Sequence, residues 1–577
     1  MNRFRQGPSV TVATASAAPA ISRTRLFVMS LLLLGAMLLT GTDAQAATSY
    51  YIRSDGGDAA QCTGKADAAY PGSGTGKACA WKHPFIAFPP GGTPRIAGGD
   101  TVYIKSGSYM MGLGAPGAAI CNQAWSWDCY MSAVPSGPSA TQPTRIIGKG
   151  SPAPELWGTE RAGMVLNLQG SSNVEVANVE ITDHESCIDN HCHGGSCSGE
   201  VLKCNRDRAP YGKWASTGIS ARDSKNVKLT DVNVHGLANR GVYAARLTDW
   251  TMTRLTIRAN GWAGWDGDIP DDDTNYGQII FRELELSWNG CGEKYPGGQP
   301  FGCWGQTAGG YGDGLGTGAT AGHWIIEDSM IHHNTSDGLD LLYMKEGGKV
   351  TIRRTWAEGN AGNQLKTKGD VLIENSVVVG NCSYFENYGN MHEGDNCRAL
   401  GNALSVGLHT SSKAHIVNNT ITSEGDCMIL SGGGGSSAEL NFRNNVLIGA
   451  TDWRQPWENT CGHYADGGSA KVNWTRNFVT GIKNNGCPGG DSICNKDPLI
   501  ASRSLSDFDP VPLTGSPLIN AASASYAPDH DYYMNARPAA GADDIGAIEA
   551  GATGAPLPPP NPGTQPSAHR VFGNGFD

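Results

Sequence analysis

The chain of 577 residues is poor in charge and in helical pattern. Charged residues make up 17% and aromatic residues 8%, and after residue 46 no apolar run approaches the about 20 residues a membrane-crossing helix needs. With 39% hydrophobic residues, the composition excludes both a coiled coil and a disordered chain. No nucleophile elbow, metalloprotease helix or phosphate loop is present, which sets protease, lipase and nucleotide-dependent activities aside. Glycine, by contrast, is plentiful at 79 residues, about twice its usual share, and helix interiors disfavour it. The chain is therefore expected to be a turn-rich, all-β protein.

The start of the chain predicts its compartment. Arg3, Arg5, Arg23 and Arg25 stand in a segment without acids, an apolar run follows from Leu26 to Leu39, and Ala44-Gln45-Ala46 places small residues where a signal peptidase cuts. Residues 1–46 are read as a signal peptide cleaved before Ala47, not as an anchor. The protein is thus expected to be secreted, either extracellular or at the outer surface or periplasm of a Gram-negative bacterium. The whole chain carries a net charge of −11, and loss of the four arginines and Asp43 leaves 39 basic against 53 acidic side chains, a net charge of −14. This acidity argues against nucleic acid as a partner. An anionic substrate would need a local basic patch or a bound cation. A monomer is expected.

All 16 cysteines follow the leader, many as near neighbours: Cys62 with Cys79, Cys121 with Cys129, Cys291 with Cys303, Cys382 with Cys397 and Cys487 with Cys494. An even number in an exported chain reads as disulfides that staple local loops. The dense run Cys187, Cys192, Cys197 and Cys204, with His191 and His193, leaves zinc open as an alternative.

From about residue 171 a short alternating strand, an Asn, Asp or Gly turn and a second strand recur, as in 173–181, 226–234, 250–257, 324–331, 349–356, 370–377 and 414–421. Val227 to Thr251 is 24 positions, Ile325 to Val350 is 25 and Val350 to Val371 is 21; the 44 positions from Val371 to His415 are read as two turns. A period of 20 to 30 residues without helical pattern is the mark of a solenoid. Leucine-rich repeats are excluded because their Leu and Asn spacing is absent. What remains is a single-stranded parallel β-helix with loop insertions. Its ends, Tyr50 to Asp58, His83 to Phe88, Gly99 to Tyr109 and Asp543 to Glu549, resemble the opening strand, cap, first rung and closing segment of extracellular right-handed β-helix proteins. The expected layout is a cap and first rungs with disulfide loops over 47–170, the capped β-helix over 171–550, and a Pro-rich linker and tail over 551–577. The final residues, Arg570 to Asp577, are either an export or anchoring tag or a disordered tail.

Polar chemistry concentrates in three successive turns: Tyr311-Gly-Asp-Gly-Leu315, Asn334-Thr-Ser-Asp-Gly-Leu-Asp-Leu-Leu-Tyr343 and Gly362-Asn-Gln-Leu-Lys-Thr-Lys-Gly369. Asp313 and Asp337 are 24 positions apart, about one rung, while Asp337 and Asp340 flank one bend. Three converging carboxylates repel one another unless a hard cation such as Ca²⁺ takes them as ligands. Lys366 stands 26 positions beyond Asp340, one rung on. Beside a bound cation its pKa is expected to be lowered, which suits a general base. Such a set fits β-elimination in a polyuronate: a cation on the C6 carboxylate neutralises charge, the base removes the C5 proton and the 4-linked sugar leaves.

These turns resemble the family-nine polysaccharide lyases, the pectate lyases of the right-handed β-helix superfamily. The resemblance is specific over about 60 residues and implies that Asp313, Asp337 and Asp340 are calcium ligands and Lys366 the Brønsted base. The sequence departs from the family at Ser336, where a neutral hydroxyl replaces a ligating Asp, and at Gln364 and Thr367. Lys368 is a near substitute for Lys366 and a substrate-binding candidate. Arg398 is a candidate clamp for a substrate carboxylate. Trp262 and Trp265 are a candidate sugar-stacking platform, beside a possible second calcium loop over Asp266, Asp268 and Asp271 to Asp273. His332, His333 and His409 are read as structural. The expectation is a secreted, calcium-dependent lyase acting on an acidic, pectate-like polysaccharide. The rival readings are a glycoside hydrolase on the same fold, which would need two carboxylates across a cleft, and a non-catalytic carbohydrate-binding surface protein.

Overall fold

The structure, a computed structural model, describes residues 47–185, 187, 204, 209–269, 274–293, 295–296, 300–304, 311–385, 397, 402–425, 427–451, 461–483, 486–539 and 541–551. Residues 1–46, Arg398, His191, Cys192, His193, Cys197, Asp271 to Asp273 and residues 552–577 lie outside the described residues.

Alternation of apolar and polar residues builds three long parallel sheets. The first runs from Ser49–Gly57 through Thr101–Lys105 and Thr144–Lys149 to Lys471–Thr475. The second runs from Ser108–Met111 through Glu155–Gly158 to Phe478–Thr480 and Ile493–Cys494. The third runs from Leu166–Asn167 through Thr217–Arg222 to Cys461–Asp466. From the rung of Thr144–Lys149 to that of Glu439–Arg443 each rung contributes one strand to each sheet, so the chain is a parallel β-helix with three faces. Three strands, Ser172–Asp183, Lys225–His235 and Thr248–Arg258, pass from the first sheet to the second without a break.

The corner between the first two sheets is two residues long and is made the same way in successive rungs. Its first residue takes a left-handed backbone: Asn178, Asp231, Arg254, Glu283, Asp328, Arg354, Asn375, Asn418, Asn444 and Arg476 all have φ between 48° and 55°. That conformation costs most side chains about 1–2 kcal/mol, and Asn and Asp tolerate it best. Where Arg occupies it, ion pairs to the Asp of the preceding rung help hold it: Arg254 Nε to Asp231 at 2.5 Å and Arg354 Nε to Asp328 at 2.5 Å. Further along, the second corner residue forms an amide ladder. Asn419 Nδ2 donates to Asn445 Oδ1 and Asn445 Nδ2 to Asn477 Oδ1, each at 3.0 Å, which satisfies buried amides that would otherwise be costly.

Inward residues form one continuous core from Tyr50 to Val479. Trp250, Trp265, Phe281 and Trp324 stack inside it, centroids 5.5 to 6.1 Å apart. At the start, the short helix Pro84–Ala87, capped by His83, sends Phe85 and Phe88 into that core beside Ile52 and Val102. The expected cap is therefore present.

Residues 500–551 lie against the outside of the second sheet. Phe508, Leu518, Tyr532, Ile545 and Ile548 pack on Trp356, Val377, Val379, Val446, Ile448 and Phe478. Asn418 Nδ2 donates to Asp544 O at 3.0 Å and Asn444 Nδ2 to Ser523 O at 3.0 Å. The expected closing segment, Asp543 to Glu549, thus covers a flank. This explains the unbroken run Val377-Val378-Val379: Val378 points into the coil and its two neighbours into the covering layer.

The reading of Val371 to His415 as two turns is corrected. Val371 pairs directly with Ala414 and Leu372 with His415, so one rung carries a long insertion at its second-to-third-sheet corner. The same corner takes the insertions between Asp183 and Thr217 and between Ser287 and Leu315. Disulfides staple these excursions, joining Cys187 to Cys204, Cys291 to Cys303 and Cys382 to Cys397. The pairs 62–79, 121–129 and 487–494 form as expected, and Cys427 joins Cys461. With Cys187 and Cys204 joined, neither offers zinc a thiolate. No helix among the described residues is long and apolar enough to cross a membrane.

Candidate active site on the third sheet

The three polar turns converge at the corner leading into the third sheet. Leu315, Leu339 and Leu365 are lateral partners pointing inward, so Gly316, Asp340 and Lys366 form the next, outward column. Before them, Asp313, Asp337 and Asn363 stack in consecutive rungs through the bonds from Gly314 N to Asp337 O and from Gly338 N to Asn363 O, both 2.9 Å. Lys366 reaches between the two columns. Its Nζ donates to Asp337 Oδ2 at 2.9 Å and to Asp340 Oδ2 at 2.7 Å.

The other carboxylate oxygens are held by backbone and amide donors. Asp313 Oδ1 accepts from Asp337 N at 3.0 Å, Asp337 Oδ1 accepts from Asn363 N at 2.6 Å and Nδ2 at 2.9 Å, and Asp340 Oδ1 accepts from Leu342 N at 2.9 Å. Ser336, fully buried, hydrogen-bonds to Asp313. Gly362 is required here, because a Cβ would stand 2.2 Å from Asp337 Oδ1.

Beneath the site runs a second amide ladder. Asn260, Asn289 and Asn334 each donate Nδ2 to the Oδ1 of the next member, ending on Asn360, at 2.8 to 2.9 Å, and Asn360 donates to Gln364 Oε1 at 2.7 Å. This gives Gln364 a role: it terminates the ladder, also donating Nε2 to Asn360 O at 3.0 Å. Neither this ladder nor Asn363 was anticipated from the sequence. The readable signal is an Asn just before successive turns, in Asn260-Gly261, Asn289-Gly290, Asn334-Thr335 and Asn360-Ala361.

Three acids face one ammonium in this corner, and the electrostatics follow. Burial, then Asp337 and Asp340, push Asp313 up to about 8. Burial and Asp337 also raise Asp340. Burial works against the charge on Lys366, but Asp337 and Asp340 outweigh it and raise its pKa. The two carboxylates thus stabilise the ammonium, whereas the lowered pKa expected of Lys366 is that of a lysine beside a bound cation. The donor set is all oxygen and carries more negative charge than Lys366 balances, which fits a hard divalent cation. Among the described residues no group of acids, histidines and cysteines is arranged to hold a metal ion.

The remaining candidates separate. Lys368 projects outward beside Lys366, its stem laid over Gly407, and does not join the carboxylates. Trp262 lies next to the corner, its carbonyl accepting from Gly312 N, its ring 4.1 Å from that of Tyr311 and 4.8 Å from the Arg240 guanidinium. Trp265 is a correction. It is fully buried, in register with Val242 and Leu315 on the inward column, and belongs to the core. The calcium-loop reading of Asp266 also fails, since its carboxylate is taken by Arg240. His332 faces Glu285 at 3.6 Å, His333 stacks on Trp288, and His409 bonds Met344 O at 2.8 Å.

Comparison with solved structures finds similar chains at low identity. A pectate lyase, Pel9A, is 12% identical with a TM-score of 0.40, over 87% of this chain and 96% of that one. An alginate lyase from Paenibacillus sp. str. FPU-7 is 12% identical with a TM-score of 0.32, over 66% and 92%. The A-module of the Azotobacter vinelandii mannuronan C-5 epimerase AlgE4 is 12% identical with a TM-score of 0.31, over 69% and 91%. The fold is a parallel β-helix. No protein-family model and no curated protein matches the sequence.

Proposed function

We propose that the protein is a secreted polysaccharide lyase that cleaves a uronate-containing, pectate-like polymer by β-elimination, with Lys366 as base and calcium as cofactor. The observation that carries this reading is the contact of one amine, Lys366, with two buried carboxylates, Asp337 and Asp340, at 2.9 and 2.7 Å on adjoining rungs. Asp313, Asp337 and Asp340 would hold the cation, with the Ser336 hydroxyl alongside. Bound there, calcium supplies positive charge to a substrate carboxylate and so makes the neighbouring C–H proton easier to remove.

Lys366 keeps its proton while Asp337 and Asp340 face it without other compensation. Were those carboxylates to serve as ligands, the amine would lose the partners that stabilise its charge, could release its proton to solvent and would then be free to accept the one at C5. Gly316 leaves the outward column without a side chain next to Asp340, and the Asp313 carboxylate fills that place. Trp262, one rung earlier, offers an aromatic edge beside it, and Lys368 a cation on the same face.

The test is ultraviolet absorbance of the unsaturated uronate during incubation with pectate, alginate and other acidic glycans, with calcium and with chelator. The reading requires absorbance that grows only with calcium and disappears in Lys366→Ala. Saturated products that form despite chelator would replace it with hydrolysis.

A further inference from the structure

A second polar cluster lies on the outside of the second sheet, where residues 500–551 do not cover it, and the proposed chemistry leaves it unused. An open pocket is lined there by Glu155, Glu180, Asp183, His235, Glu293 and Tyr295, among others. His235 is bonded on both ring nitrogens, by Nε2 to Glu180 Oε1 at 2.9 Å and by Nδ1 to Glu293. Arg258, only 8% exposed, donates Nη1 to Glu293 Oε2 at 2.8 Å. Arg258 thus stands behind Glu293, which itself lines the pocket.

The rim is aromatic. His184 is sandwiched between Trp157, at 3.9 Å and 6°, and Tyr295, at 3.6 Å and 25°. Its Nε2 lies 2.9 Å from Glu155 Oε1. Tyr295 remains 47% exposed, so an apolar ring face meets water beside a set of hydrogen-bond acceptors. An exposed ring next to convergent polar groups is the arrangement that receives a saccharide, its C–H face on the aromatic and its polar substituents on the acceptors.

Charge selects which saccharide. Against His235 and Arg258, with His184 bonded to Glu155, stand the carboxylates of Glu155, Glu180, Glu185 and Glu293, and this acidic surplus repels a uronate and favours a donor-rich or cationic ring. We propose that this pocket is a second saccharide site, separate from the Lys366 corner, that takes an amino sugar, with its ammonium toward the carboxylates and its ring on Tyr295. This inference does not depend on the lyase reading.

The experiment is equilibrium binding of glucosamine oligomers to the whole secreted chain, with galacturonate oligomers as competitor. Saturable binding is expected, weakened about tenfold in Tyr295→Ala, the loss of a single ring-stacking contact. It should be retained in Tyr295→Phe, which keeps the ring, and in Lys366→Ala, which leaves this pocket intact. Galacturonate oligomers should fail to displace the ligand. Absence of saturable binding, equal binding by Tyr295→Ala, or equal displacement by galacturonate would each overturn the proposal. Loss of lyase activity in Lys366→Ala alongside unchanged glucosamine binding keeps the two readings distinguishable.

Discussion

Two buried ion clusters on the outside of one coil handle the same problem with different parts. On the third sheet a single ammonium, Lys366, bonds Asp337 and Asp340. On the second, a single imidazole, His235, is bonded by Glu180 and Glu293. An amine on a four-carbon stem can change partners by rotating its bonds. A ring bonded on both nitrogens cannot leave without stranding two carboxylates. The first cluster therefore suits proton transfer, and the second suits holding the wall of a pocket. The acids differ too: the third-sheet corner has Asp313 to spare, kept protonated by burial and its neighbours, while Arg258 joins His235 in balancing Glu293.

The sharpest way to break this comparison is Lys366→Ala. Elimination activity is expected to fall on the order of 10²–10⁴-fold, the usual worth of a general base, whereas the equivalent change at the other cluster, His235→Gln, should leave turnover on pectate intact. Initial rates by ultraviolet absorbance decide it.

Stability against pH comes next. His235 is pushed up to about 10 because Glu293 and Glu180 outweigh burial. Its charged form therefore stabilises the fold fully below the ordinary value of 6.5, and that contribution is lost as pH rises to about 10, a change on the order of a few kcal/mol. Asp313, raised from 3.8 to about 8, favours the fold as a neutral acid, so its contribution is lost as pH rises across that range. In denaturant titrations His235→Gln should flatten the slope in the upper window and Asp313→Asn in the lower one.

Truncating one member of each cluster compares them directly. Asp337→Ala and Glu293→Ala should each cost about 3–5 kcal/mol in chemical denaturation, because the first takes one of the two carboxylates from Lys366 and the second takes one from His235 and the bonded acid from Arg258. A large cost in only one of them would show that the other cluster is already hydrated. Smallest is Asn334→Ala, which interrupts the ladder beneath the active corner. About 1–3 kcal/mol is expected for the unpaired amides it leaves, read as a lowered melting temperature with the Lys366 contacts kept.

The difference in legibility between the clusters has a physical cause. Asp313, Asp337, Asp340 and Lys366 are separated by one rung at a time, and in a solenoid rung spacing is spatial adjacency, so their numbering predicts contact. The second cluster mixes rung residues such as Glu180 and His235 with Glu293 and Tyr295, which follow the strand in an insertion. No period links those positions. A separate insertion at the same corner of a later rung, between Gly380 and Leu404, made the gap from Val371 to His415 look like two turns. Trp265 was misjudged for another reason: in Trp262-Ala-Gly-Trp265 both rings look alike in sequence, and only the register with Val242 and Leu315 shows which one turns inward.

Alternating strands, turn residues and their spacing determined by themselves that the chain coils into parallel rungs and that four polar residues meet at one corner, because those are consequences of local periodicity. Which rings face the core, which flank residues 500–551 cover, and which proton Lys366 holds were decided only by the tertiary structure, because each depends on burial and on neighbours brought together from unrelated positions in the chain.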